Sequence, residues 1–207
     1  MKLLHIDSSI VGDASVTRQL TAAVVAAYRD AVPGIEVSYR DVAAQPVPHL
    51  TALTTGRVPL PADLDPAVAA DIALGKEILE EFLAADVIVV GAPMYNFSLP
   101  TQLRAWIDRI CVAGRTFTYT AEGPKGLAGG KTVVVASGRG GLYSPGNPAA
   151  AIDFQEPYLK AVFGFVGITD VRFVRAEGVG LGPESRAAAI AAALAVAHDV
   201  AETPVAA

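Results

Sequence analysis

Residues Asp86–Pro100 read DVIVVGAPMYNFSLP, in which the apolar run Val87–Gly91 is followed at once by a loop that spends Met94, Tyr95, Asn96 and Phe97 on a turn. A short apolar run closed by Gly and Pro reads as a strand covered on both faces, the signature of a parallel sheet. Thr132–Ala136, TVVVA, has the same character. Outward from this central pair, β-rich runs lie at Lys2–Ile6, Glu36–Tyr39 and Val171–Val174. Helical patterns stand between them. Leu20, Ala23, Val24 and Ala27 recur at helical spacing within Val16–Ala31, and Pro33-Gly34 supplies the stop. Further helices are expected over Asp65–Ala84, from Pro100 to just before Gly114, around Tyr158–Val162, and over the alanine-rich stretch Pro183–Ala201. Strands alternating with helices predict an α/β fold with a mainly parallel, five-stranded sheet. Two segments exceed this alternation: Val42–Asp63, with Pro46, Pro48, Pro59 and Pro61, and Gly114–Gly130, with the run RTFTYT and a glycine-rich return. Connections this long in a compact domain are usually functional or disordered.

The chain of 207 residues suits a single domain over 1–207, because nothing in its middle reads as a linker. Its hydrophobic share of 52% is inflated by alanine and interrupted by charge, Gly and Pro, so no run approaches the roughly 18 residues of a membrane span. Met1-Lys2 lead directly into LLHID without the pattern of a secretory leader, and a cytoplasmic location is expected. A net charge of −5 without basic clusters argues against a nucleic-acid partner. Cys111 stands alone, cannot form an internal disulfide, and is expected as a buried structural thiol.

In open α/β sheets, ligands bind outside the carboxyl ends of the strands, near the point where strand order reverses. Three segments occupy such places. After the first strand, DSSIVGDASVT brings Ser8 and Ser9, then Ser15 and Thr17 as a helix opens. Clustered hydroxyls and free N–H groups at a helix start suit a phosphate, while the bland alternative is an ordinary cap by Asp13 or Ser15. After the third strand, Met94, Tyr95, Asn96 and Phe97 combine flat or polarisable contact with polar edges, which suits a planar heteroaromatic ring. The alternative there is a helix-initiating loop capped by Ser98, with Pro100 at its start. After the fourth, Ser137, Gly138, Arg139, Gly140 and Gly141 form a turn whose backbone could approach a ligand closely, although glycine turns also arise for geometry alone.

Competing motifs are weak. GLAGGKT at Gly126–Thr132 is too short for a P-loop and precedes a strand where a P-loop follows one. Neither a dinucleotide glycine fingerprint nor a nucleophile elbow is present, and His5, His49 and His198 are scattered as core, loop and surface residues. Metal-ligand spacing is absent, so no metal is expected. The third strand ends in Gly91-Ala92-Pro93, where a phosphorelay receiver would carry its aspartate. A chain that holds a phosphate and a flat ring, with no catalytic constellation of its own, leaves the chemistry to a bound cofactor, and flavin mononucleotide (FMN) meets that description.

The stretch APMYNFSLPTQLRAWIDRICVAGRTFTYTAEGPKGL, the serine-rich first loop, SGRGGLY and FGFVGITDVRFVRAEG together resemble the FMN-dependent NADH-azoreductase and NADH:quinone oxidoreductase family. The likeness spans nearly the whole chain. It implies a flavodoxin-like three-layer sandwich with strand order 2-1-3-4-5 and helices on both faces. It also implies FMN bound by Ser9, Ser15, Val16, Thr17, Met94, Tyr95, Asn96, Phe97, Ser137, Gly138, Arg139, Gly140 and Gly141. A homodimer with two sites at its interface follows from the same resemblance. So does ping-pong transfer of two electrons from NADH, with NADPH the other candidate donor, to quinones and aromatic azo compounds. Phe97, Tyr119 and Val162 would wall the substrate pocket; some relatives carry an aromatic at the position of Val162, and here Phe163 is adjacent. The chain departs from the family's usual S-R-G-G turn in carrying Gly138 between Ser137 and Arg139. Two rival readings are an FMN electron carrier without an organic substrate and a flavin-free interaction module.

Overall fold

The apolar run at Val87 becomes the middle of a five-stranded parallel sheet. A computed structural model describes residues 1–202. Its strands are β1 (Lys2–Asp7), β2 (Glu36–Asp41), β3 (Val87–Pro93), β4 (Phe117–Thr120), β5 (Gly123–Gly126), β6 (Thr132–Arg139) and β7 (Asp170–Glu177). The helices are α1 (Val16–Ala31), α2 (Pro66–Ala84), α3 (Thr101–Ile110), α4 (Glu156–Phe165) and α5 (Pro183–Asp199). The main sheet runs β2-β1-β3-β6-β7, which is the expected order 2-1-3-4-5 once the separate β4-β5 hairpin is set aside.

Every residue of β3 and β6 is buried, as expected of central strands covered on both faces, even though β6 carries Ser137 and Arg139 past its apolar run. Alternate side chains feed two cores. Leu4, Ile6, Ile88, Val90, Val133 and Val135 pack with Ile78 and Phe82 of α2, Trp106 of α3 and Phe163 of α4. On the other face, Leu3, Val87, Val89, Val134 and Ala136 meet Leu20, Val24 and Tyr28 of α1 and Ala193 and Ala197 of α5. Each large aliphatic side chain so buried contributes about 1.5–3 kcal/mol. Local chemistry starts the helices. Asp65 accepts the Ala67 N–H at 2.7 Å beside Pro66 at the first turn of α2, and Ser15 accepts the Arg18 N–H at 3.3 Å to cap α1.

The structure revises several expectations. Gly114–Gly130 contains an antiparallel hairpin, with Phe117 opposite Gly126 and Tyr119 opposite Pro124. The long connection after β2 is tied to the core: Val42 and Val47 are buried, and the Arg109 guanidinium donates to Pro48 O at 2.8 Å and to Asp71 Oδ1 at 2.7 Å. Helix α3 stops at Ile110, so Cys111 follows it and is only partly buried. Burial still pushes its thiol up to about 11, which disfavours the reactive thiolate. Helix α5 ends at Asp199, two residues short of the sequence expectation. Among the described residues, no helix is long and apolar enough to cross a membrane.

Candidate cofactor site

The chain leaving β1 makes a buried shelf. Ser8 and Ser9 are buried, and the Ser8 hydroxyl donates to Gly91 O at 2.6 Å, tying the start of the loop to β3. Ser15, Val16 and Thr17 open α1 and are also buried, with the Ser15 and Thr17 hydroxyls 3.0 Å apart. Ser15 takes the Arg18 N–H, while the Val16 and Thr17 N–H groups lie in the first turn, where a helix offers no acceptor of its own. Arg18 braces this shelf from behind. Its guanidinium donates to Ser9 O at 3.0 Å and pairs with Asp41 at 2.7 Å and Asp7 at 3.6 Å. The hydrogen bond to Asp41 is the largest reason its pKa lies above the usual arginine range, so it stays charged.

The loop after β3 is a tight turn. Tyr95 and Ser98 exchange N–H···O bonds of 3.0 Å in both directions, and the two residues between them, Asn96 and Phe97, have φ of 48° and 70°. Two positive values at the centre define a primed turn, a conformation that asparagine tolerates and phenylalanine resists. Ser98 therefore closes the turn instead of capping α3, whose cap position is Pro100. Met94 N–H donates to Gly138 O at 2.7 Å. The Tyr95 hydroxyl lies 3.4 Å from Ser9 Oγ and accepts the Ile10 N–H at 3.3 Å. The first and third strand-end loops are thus physically joined.

The third segment begins later than the sequence suggests. Ser137, Gly138 and Arg139 remain in β6, because the ladder to β3 continues to Pro93 and the ladder to β7 continues to Glu177. Gly138 lies under the opening of α1, where a Cβ would stand 2.8 Å from the Thr17 methyl. The inserted glycine is therefore a close-approach position between two of the loops. The turn proper starts at Gly140, and the carbonyls of Arg139, Gly140 and Gly141 accept N–H groups from Val179, Gly180 and Gly178.

Arg139 has its side chain turned inward, fully buried. It donates to Ser137 Oγ at 2.9 Å and pairs with Asp153 at 2.9 Å, Glu156 at 2.6 Å and Glu177 at 2.9 Å. Ser137 in turn donates to Gln155 Oε1 at 2.8 Å, and the Gln155 amide donates to Ala92 O at 2.9 Å. Gln155 and Glu177 carry no sequence signal of spacing. Glu177, however, ends the fifth strand of the main sheet, and the strand-end rule applies to it as much as to the other three.

The three expected pocket residues are dispersed. Phe97 is 46% exposed beside the turn, with Tyr143 edge-on at 6.4 Å between ring centroids. Val162 is half-buried against the core, and its neighbour Phe163 is fully inside it. Tyr119 is 73% exposed and packs edge-on against Phe117, which rests on Phe165. The base of its hairpin is bonded to the last turn of α4 through Ala128 N–H to Val166 O, at 2.8 Å. The second and third segments meet the N-terminal end of α4, where Gln155 is the cap residue and bonds to Ser137 and Ala92. Ten residues of helix, about 15 Å, separate the two ends.

A sheet of this order with loops joined at its carboxyl edge defines a flavodoxin-like protein, and the family model described as flavodoxin-like fold matches residues 1–200. Among curated relatives, the FMN-dependent NADH:quinone oxidoreductase of Rhizobium meliloti (strain 1021) is 57% identical over 196 residues, covering 93% of each chain. That of Ralstonia nicotianae (strain ATCC BAA-1114 / GMI1000) is 57% identical over 209 residues, covering 100% of each. The chain belongs to the FMN-dependent NADH:quinone oxidoreductase family. An azoreductase from Bacillus anthracis str. Sterne superposes with a TM-score of 0.85 at 32% identity, covering 97% of this chain and 98% of that one. An FMN-dependent NADH-azoreductase from Bacillus anthracis str. Ames Ancestor, solved in complex with FMN, gives 0.86 at 25% identity, covering 97% of both.

Proposed function

We propose that this chain is an FMN-dependent oxidoreductase that passes two electrons from NADH or NADPH to quinones and aromatic azo compounds in a ping-pong cycle. The observation that carries the site assignment is the convergence of three strand-end loops: Tyr95 reaches Ser9 and Ile10, Met94 reaches Gly138, and Gly138 is held bare by Thr17. The residues present fit the cofactor. Ser9, Ser15 and Thr17, with the Val16 and Thr17 N–H groups, would hold the phosphate without a lysine, the helix dipole favouring the anion. Met94 to Phe97 and the backbone of Gly140 and Gly141 would hold the ring, with Ser137 and Arg139 supporting them from inside the strand. FMN, when bound, supplies a two-electron store that a nicotinamide fills and an acceptor empties. The chain's part is to bind, orient and exclude water. Phe97, exposed beside the turn, walls one place that donor and acceptor occupy in succession.

The position of Tyr119 favours a homodimer. Its ring is exposed on a hairpin whose base is bonded at the C-terminal end of α4, while Gln155, the partner of Ser137 and Ala92, lies at the other end, so a second copy would present the ring to the site. A bare electron carrier needs no such wall, which favours the enzyme. A reducing cytoplasm suits a chain with one cysteine and no disulfide.

Replacing Ser15 and Thr17 by Ala tests the assignment. FMN affinity of the apoprotein should fall by about 10–100-fold, the scale of lost hydrogen bonds to a charged group, while riboflavin affinity changes little. Fluorescence titration measures both, and equal losses for the two ligands would place the phosphate elsewhere.

A further inference from the structure

We infer that Glu177 is a positioning residue that sets the substrate wall through the turn Gly140–Ser144. The inference rests on the pocket reading above. The Glu177 carboxylate accepts the Tyr143 N–H at 3.0 Å through Oε1 and the Ser144 hydroxyl at 2.6 Å through Oε2. Oε1 is also 2.9 Å from the Arg139 guanidinium, so the carboxylate is fixed from within the sheet as it grips the turn from below. Tyr143, held by its own N–H, places its ring against Phe97. Phe97 is fixed from the opposite side, since its carbonyl accepts the Phe154 N–H at 3.0 Å, and Asp153 and Gln155 flanking Phe154 are partners of Arg139.

Both rings of the Phe97–Tyr143 pair are thus tied to one buried charged hub. Burial alone would raise the Glu177 carboxyl, but hydrogen bonds from Ser144, Tyr143 and Arg139 outweigh it and hold the group below the usual range. It therefore remains an acceptor for the turn at neutral pH. The consequence is specific. The contacts of Glu177 run to the turn and to Arg139, so its effect on acceptor affinity should be carried by Tyr143 and its pairing with Phe97.

The test is a double-mutant cycle on the holoenzyme, with E177A and F97A singly and combined, and E177Q as the conservative variant that keeps one oxygen acceptor. E177A should raise the apparent KM for a bulky quinone about tenfold while kcat per bound FMN changes less than about twofold. On the F97A background the same change should have under about twofold effect, because coupled residues are not additive. E177Q should restore most of the affinity. Amide exchange at Tyr143 in the apoprotein should quicken about tenfold in E177A, the scale of one lost hydrogen bond. If E177A does not fold, S144A enters the same cycle, with an expected rise of about fivefold in KM on the native background and under about twofold on F97A. A KM change that is equal in both backgrounds, or a lowered melting temperature with unchanged KM and unchanged Tyr143 exchange, overturns the inference. An F97A single variant with unchanged KM removes the pocket reading and this inference with it; a raised KM in F97A beside an unaltered E177A overturns the inference alone.

Discussion

Phe97 holds a φ of 70°, a conformation that costs an ordinary side chain about 1–2 kcal/mol and glycine almost nothing. The turn has kept the ring despite this cost, which points to a use for the ring at that place. Two substitutions separate backbone from ring. Phe97→Gly and Phe97→Ala both remove the proposed wall, so both should weaken apparent affinity for bulky acceptors alike, yet the glycine variant should be more stable than the alanine variant by about 1 kcal/mol. Denaturant unfolding of the two proteins, beside their steady-state kinetics, checks this. Equal stability would mean the backbone there relaxes freely. The sequence singles out Phe97 because an aromatic in a strand-end turn is conspicuous, and the structure places it exposed at that turn. Sequence could not place Arg139 inward, because three surrounding glycines look like a loop while the strand's pairing to β7 is invisible in one-dimensional pattern.

At the level of elements, the central strands were legible because burial on both faces leaves a continuous apolar run, the edge strand β2 because Val37 and Tyr39 alternate with polar residues, and the helices because burial on one face leaves a helical repeat. The hairpin was half legible. FTYT alternates as a strand does, but its partner GPKG has no β signal at all and is a strand only by pairing with it. A two-stranded ribbon has no interior strand, which is why Pro124 is tolerated there. Gly126 then anchors the hairpin: a Cβ would stand 2.2 Å from Gly167 N and 2.4 Å from the Val166 carbonyl carbon. Backbone cannot yield as a side-chain tip can. Gly126→Ala should therefore cost about 1–3 kcal/mol and displace Tyr119, with FMN affinity per chain unaltered. Thermal melts and FMN titration read the two effects, and an FMN site lost along with stability would show that the hairpin supports its own chain's loops.

For the whole molecule, the proposed homodimer would make activity a property of two chains, with Tyr119 of one walling the site of the other. Light scattering should give about twice the single-chain mass of 21.3 kDa. Turnover per bound FMN should fall on dilution through the dimer's dissociation, and Tyr119→Ala should abolish that dependence along with part of the acceptor affinity. A monomer with undiminished turnover would refute the shared site.

The strand order also has a consequence in time. β1 pairs with β3 through Leu3 and Val87, and the Ser9 shelf gains its Tyr95 contacts from the loop that follows. At a synthesis rate of about 5–20 residues per second, the amino-terminal strand waits several seconds on the ribosome before its inner neighbour exists. Until β6 and β7 emerge, the hub residues Arg139 and Glu177 do not exist either. With the proposed site, cofactor capture would come late in the life of the nascent chain, and apolar β1 must be kept from other partners meanwhile. A reporter of nascent-chain flavin binding should stay silent until nearly the full length has left the exit tunnel.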